Sequence, residues 1–78
     1  MSSPTYRGIA IALNAALDPA ELQQFVDRLT DAAGDLELRA DEELENGKRK
    51  ILARRADVLG DLARAIEAEM EKAAEVRA

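Results

Sequence analysis

From Leu52 onward, Leu52, Ala56, Leu59, Ala63, Ile66, Met70 and Ala73 fall at alternating steps of four and three with no polar exception. An α-helix turns about 100° per residue, so these side chains form a single stripe running the length of a long helix. Three heptads at this spacing are the pattern of a coiled coil. A stripe of this kind has to be covered by other helices. Ala56 and Ala63 allow a neighbour to come close, while Ile51, Val58, Leu62 and Ala65 widen the apolar face, so the helix is expected to meet more than one neighbour. Gly60 costs roughly 1 kcal/mol relative to Ala in a helix interior. Its expected use is to admit a neighbouring backbone.

Upstream, Asp18-Pro19-Ala20-Glu21 carries three start signals: a side-chain acceptor for a free backbone N–H, a Pro at the first helical position, and a Glu three residues after the cap. Leu22, Phe25, Val26, Leu29 and Ala33 then follow at helical steps. Gly34 is well placed to end that helix in a left-handed conformation, giving an element over 19–33. Asp35 is able to cap again, and Leu36, Ala40, Leu44 and Ile51 keep helical phase through Asn46-Gly47. The expectation is one long helix over 35–77, with 41–75 its firmest part and Gly47 its weak point. Phe25 and Met70 read as core residues.

The segment 5–17 admits two readings. Tyr6, Ile9, Leu13 and Leu17 fit a helix, whereas Arg7, Ile9, Ile11 and Leu13 alternate as in a strand. The Ala and Leu content of 12–17 favours helix. Sixteen Ala, ten Leu and only Tyr6 and Phe25 as aromatics also match helical proteins rather than sandwiches or barrels. The expected fold is therefore all-α: one domain over 1–78, with two short N-terminal helices packed on one long C-terminal helix. A β-α-β-α arrangement with Leu36 and Leu38 in the second strand is the alternative. The ends, 1–3 and 76–78, are expected to fray.

Seventy-eight residues bury a small fraction of their surface on folding, and chains this short add disulfides, a metal or self-association. There is no Cys and no His, which removes disulfides, thiolate metal sites and the usual base near neutral pH. Self-association is what remains, and a homodimer through the Leu52 to Ala73 stripe is expected. Glu67, Glu71 and Glu75 share one face, but repeated Glu at this spacing is ordinary on exposed helices. The Glu-x-x-His unit of carboxylate-bridged metal sites is missing, and Asp41, Glu42, Glu43 and Glu45 lack the ligand order of a calcium loop. Gly47-Lys48 lacks the upstream Gly and following Ser or Thr of a phosphate-binding loop. No enzyme, cofactor or metal is expected.

The apolar run from Ile9 to Leu17 is too short to cross a membrane and too weakly basic at its start for a secretory signal. A cytoplasmic protein with no membrane partner is the expectation.

The feature that bears on function is charge segregation. The formal charge is −5 overall. Residues 21–46 hold nine acids and two bases, whereas 47–55 hold Lys48, Arg49, Lys50, Arg54 and Arg55. One reading is a solvated surface in which Glu45 pairs with Arg49. Another is an antiparallel dimer about an axis near Gly47, with Asp41 to Glu45 of one chain facing Arg49 to Arg55 of the next. A third is contact of the basic cluster with nucleic acid or an acidic protein, which the neighbouring acids and the lack of aromatic stacking residues disfavour. Arg55 is expected to lay its stem on the Leu52/Leu59/Leu62 face with its head in water, or to pair with a carboxylate across an interface. The functional expectation is a non-enzymatic, homo-oligomeric interaction, assembly or regulatory protein, of the size of phage or mobile-element accessory proteins. The alternatives are a nucleic-acid accessory protein using 48–55 and an acidic decoy using 35–45.

Overall fold

Asp18 opens the second helix as its sequence context requires. The Glu21 N–H donates to Asp18 Oδ1 at 2.9 Å, and the Asp18 N–H donates to Glu21 Oε1 at 3.3 Å, which closes a capping box with Pro19 at the first helical position. The computed structural model describes residues 4–77 and resolves them into three helices: α1 Pro4–Ala16, α2 Pro19–Glu42 and α3 Asn46–Arg77. The fold is all-α, three helices packed together. No strand occurs among the described residues, so the β-α-β-α alternative is excluded and 5–17 is helical to Ala16. Of the ends expected to fray, 1–3 and 76–78, residues 1–3 and 78 lie outside the described residues, and Val76 and Arg77 belong to the last turn of α3.

Two helix ends differ from the expectation. Gly34 does not end α2, which runs eight residues further to Glu42, and no Gly among the described residues has a positive φ. The reason is packing: Leu22, Val26, Leu29, Ala33, Leu36 and Ala40 keep one phase, and Leu22, Val26, Ala33 and Ala40 are buried. Burying that stripe outweighs the roughly 1 kcal/mol that Gly costs inside a helix. The break in the expected 35–77 helix falls at 43–45, ahead of Gly47, which sits in the first turn of α3. Leu44 stands in that turn 93% exposed.

The turn reverses the chain. Leu22 shares a hollow with Met70 and Ala73, whereas Ala33, Gly34 and Glu37 line a groove with Gly60, Ala63 and Arg64, so α2 and α3 run antiparallel. The seven-residue stripe from Leu52 to Ala73 faces this seam. Ala56, Ala63 and Ile66 are fully buried and Leu52, Leu59, Met70 and Ala73 half-buried, all within one chain. The stripe read from the sequence as an oligomer interface is thus occupied by the chain's own helices. Gly60 is not a point of close approach either. A Cβ there would meet only the mobile end of its own Arg64 side chain, at 3.3 Å from Nη2.

α1 packs on α3 and barely touches α2. Its buried residue is Ala10, with Tyr6, Leu13 and Leu17 half-buried around it, and Ile9 lies outside. Tyr6, Ala10, Leu13 and Leu17 hold steps of four and three just as the expected set did, with the small residue at the contact. Ala10 joins Leu22, Val26, Ala63, Ala65 and Ile66 in the core cluster, and Leu62 and Met70 pack against it. The expectation of more than one neighbour for α3 holds here: Leu62 and Ala65 contribute to the cluster that α1 completes. Asn14 Nδ2 donates to the Ala10 carbonyl at 2.9 Å and reaches the Ile66 carbonyl at 3.5 Å, which ties the register of α1 to α3.

At 1.5 Å per residue, α1 is about 20 Å long and α3 about 48 Å. The hairpin therefore has a proximal half, where α1 makes three helices, and a distal half near the turn, where there are two. The molecule is elongated, 49 × 23 × 18 Å, with a radius of gyration of 14.3 Å. A compact domain of this length has about 11.5 Å.

Candidate interaction surfaces

The charged blocks meet at the 43–45 turn, where Glu43, Glu45, Lys48 and Arg49 make contacts with one another. Asp41 and Glu42 sit at the negative end of α2, and Lys48, Arg49 and Lys50 at the positive end of α3, each block opposed to its own helix dipole. Across the turn the opposition is reversed. Arg49 donates to the Glu43 carbonyl from Nε at 3.1 Å and Nη2 at 2.7 Å, placing a cation on the end of α2. The Glu43 side chain accepts from the Glu45 N–H at 3.2 Å, and the Glu45 carbonyl accepts from the Arg49 N–H at 2.9 Å. Glu45 pairs with Lys48 at 3.6 Å, not with Arg49 as the sequence suggested, because Arg49 is engaged on α2.

The basic cluster does not form one face. At 100° per residue, Arg49 points away from Lys48 and Arg55, and Lys50 and Arg54 lie on a third side. All five are exposed. Of the acids, Asp41, Glu42 and Glu45 are exposed and Glu43 half-buried, within the same turn region as the bases. Arg55 is exposed and forms no ion pair among the described residues, consistent with a stem laid on apolar surface and a head in water. Glu67, Glu71 and Glu75 are exposed along α3. No group of three carboxylates converges on a metal-sized space among the described residues.

The hollows are small or open. The one at the proximal end of the bundle, lined by Asn14, Leu17, Leu22, Met70 and Ala73 among others, holds about 200 Å³, below the roughly 300 Å³ at which small-molecule pockets begin. Phe25, read as core, lies 37% exposed against Leu17 and Arg28, and Met70 packs against the core cluster as expected. No described helix is long and apolar enough to cross a membrane.

What the structure leaves open is apolar. Ile51 is 53% exposed and Val58 36%, on the side of α3 that α1 covers further along at Leu62 and Ala65. Leu38, Leu44 and Val76 are also exposed. Ile51 and Val58 were legible as part of a wide face, whereas Leu44, read as keeping helical phase with Ala40 and Ile51, is taken out of the helix by the 43–45 turn, and Val76 carried no signal of its exposure. These features define a small all-α protein of three packed helices. Comparison with protein-family models, with characterised proteins and with solved structures returns no match.

Proposed function

We propose that this chain is a non-enzymatic, homo-oligomeric interaction protein of the cytoplasm, which assembles with or regulates other proteins through its helix surfaces. The observation behind this reading is the open distal half of the hairpin, where Ile51 and Val58 remain in water although the same side of α3 is covered in the proximal half. Arg54 and Arg55 stand between these two side chains, so the surface combines apolar and charged groups, as the rim and core of a partner contact do. The nucleic-acid and acidic-decoy readings have no comparable support, since the bases are spread round the helix and Glu43, Glu45, Lys48 and Arg49 are engaged at the turn. Light scattering at several concentrations tests the proposal. A mass above that of one chain is expected, and a monomer at every concentration removes the homo-oligomeric part. Retention on DNA at low salt that is lost when Lys50, Arg54 and Arg55 become Glu would favour the nucleic-acid reading instead.

A further inference from the structure

Two helices cannot cover each other all round, and the residues left over in the distal half follow a pattern. Ile51 and Val58 step by seven along α3 and continue, toward the turn, the side on which Leu62 packs against the core cluster. On α2, Leu36 lies seven residues after Leu29, which packs against the core cluster, and so falls on that same side. Beside the α3 stripe run Lys50, Arg54, Asp57 and Asp61, at steps of four, three and four, with the sign of charge changing at the midpoint. Among the described residues Lys50, Arg54 and Asp57 form no ion pair, and Asp61 has only a 3.8 Å approach to Arg64.

We propose that this open stripe on the first half of α3 is the docking site for a second copy of the chain, whose α3 crosses it antiparallel about a two-fold axis near Arg55. Ile51 of one copy then meets Val58 of the other, and Lys50 and Arg54 of one face Asp61 and Asp57 of the other. An isologous interface must be self-complementary in this way. The antiparallel crossing opposes only the two Arg55 side chains beside the axis, whose long stems let the heads reach water, whereas a parallel arrangement would set Lys50 on Lys50 and Asp61 on Asp61.

The second copy takes, over the distal half, the place that α1 takes over the proximal half.

This inference rests on the self-association reading above and adds the surface and the register. The test is the mass of the full chain, by light scattering and sedimentation from micromolar to near-millimolar concentration, with circular dichroism to confirm that each variant is folded. Wild type is expected to dimerise, and Ile51→Glu or Val58→Glu to leave a folded monomer. The pair Asp57→Lys with Asp61→Lys is expected to raise the dissociation constant roughly tenfold or more, as is Lys50→Glu with Arg54→Glu. All four together should restore dimerisation, because the edge is then reversed on both copies. A wild-type dimer indifferent to Ile51→Glu and Val58→Glu, or not restored by the fourfold reversal, overturns the interface while self-association stands. A wild-type monomer throughout overturns both.

Discussion

The proximal and distal halves of the α2–α3 hairpin are built from the same pattern and end in different environments. In the proximal half, Val26, Ala63 and Ile66 lie in a cluster that α1 completes through Ala10. In the distal half, Ala40 and Ala56 close the seam as tightly, yet Ile51 and Val58 beside it stay in water. The seam is a property of two helices, and the core is a property of three. Apolar spacing along α3 therefore decides which residues seek cover, and the 13-residue length of α1 decides which of them the chain itself covers.

The sharpest way to break this comparison is to delete comparable side chains from the two halves. Ile66 is 0% exposed, and Ile66→Ala is expected to cost about 2–5 kcal/mol, enough to unfold much of so small a domain. Ile51→Ala, measured in urea at a concentration where the chain is monomeric, should fall within about 0.5 kcal/mol of wild type, as surface substitutions do. Equal costs at the two positions would mean that the distal half is not open. Amide exchange should agree, with the distal amides opening at lower free energy than those around Ile66.

The next largest effect lies at the turn that joins α1 to the hairpin. Asp18→Ala removes the acceptor for the Glu21 N–H and half of the capping box, and is expected to cost about 1 kcal/mol in chemical denaturation. The loss should be felt in the proximal half, where α2 begins beside Leu17 and Met70. This cap is also the feature most legible in the sequence, because all its partners are within three residues of one another.

Legibility falls as the deciding contact becomes more distant. The four-and-three steps on α3 and the neighbour for Leu62 and Ala65 were readable, since periodicity is local. The end of α2 was not. Gly34 carries a stop signal of about 1 kcal/mol, and it was overruled by the burial of Ala40 against α3, a contact fixed only once the chain has turned back. The break at 43–45 carries no stop residue at all, and the Arg49 bonds to the Glu43 carbonyl that help to hold it exist only after the reversal. The same holds for α1, where Ala10 and Ile9 fit a helical stripe equally well until the distance to α3 selects the smaller. For the proposed interface, the charge edge of Lys50, Arg54, Asp57 and Asp61 was present in the sequence but had no meaning while the seam itself was read as the dimer surface.

Gly34 gives a test that stabilises. It sits near the junction of the two halves with nothing within 4 Å of where a Cβ would lie and with an ordinary helical φ. Gly34→Ala is therefore expected to raise stability by about 0.5–1 kcal/mol, read as a higher urea midpoint with an unchanged slope. A loss of stability would show that the α2–α3 groove is occupied by something a methyl group displaces.

The smallest effect is the most informative about cover. Arg39 Nε and Asp35 Oδ2 are 3.1 Å apart across one turn of α2 in the distal half, with side chains 66% and 57% exposed. For an exposed pair at this spacing, Asp35→Asn should cost about 0.2–0.5 kcal/mol in the monomer and less still in high salt. The pair lies on α2 close to Leu36, at the border of the stripe assigned to the second copy. When that copy is bound, water around the pair is reduced and its screening with it, so the same substitution should cost more in the dimer and depend less on salt. Comparing the substitution at low and high chain concentration therefore reads how far cover extends over the distal half. A cost that is the same in both, and equally sensitive to salt, would confine the interface to α3 and leave α2 in water.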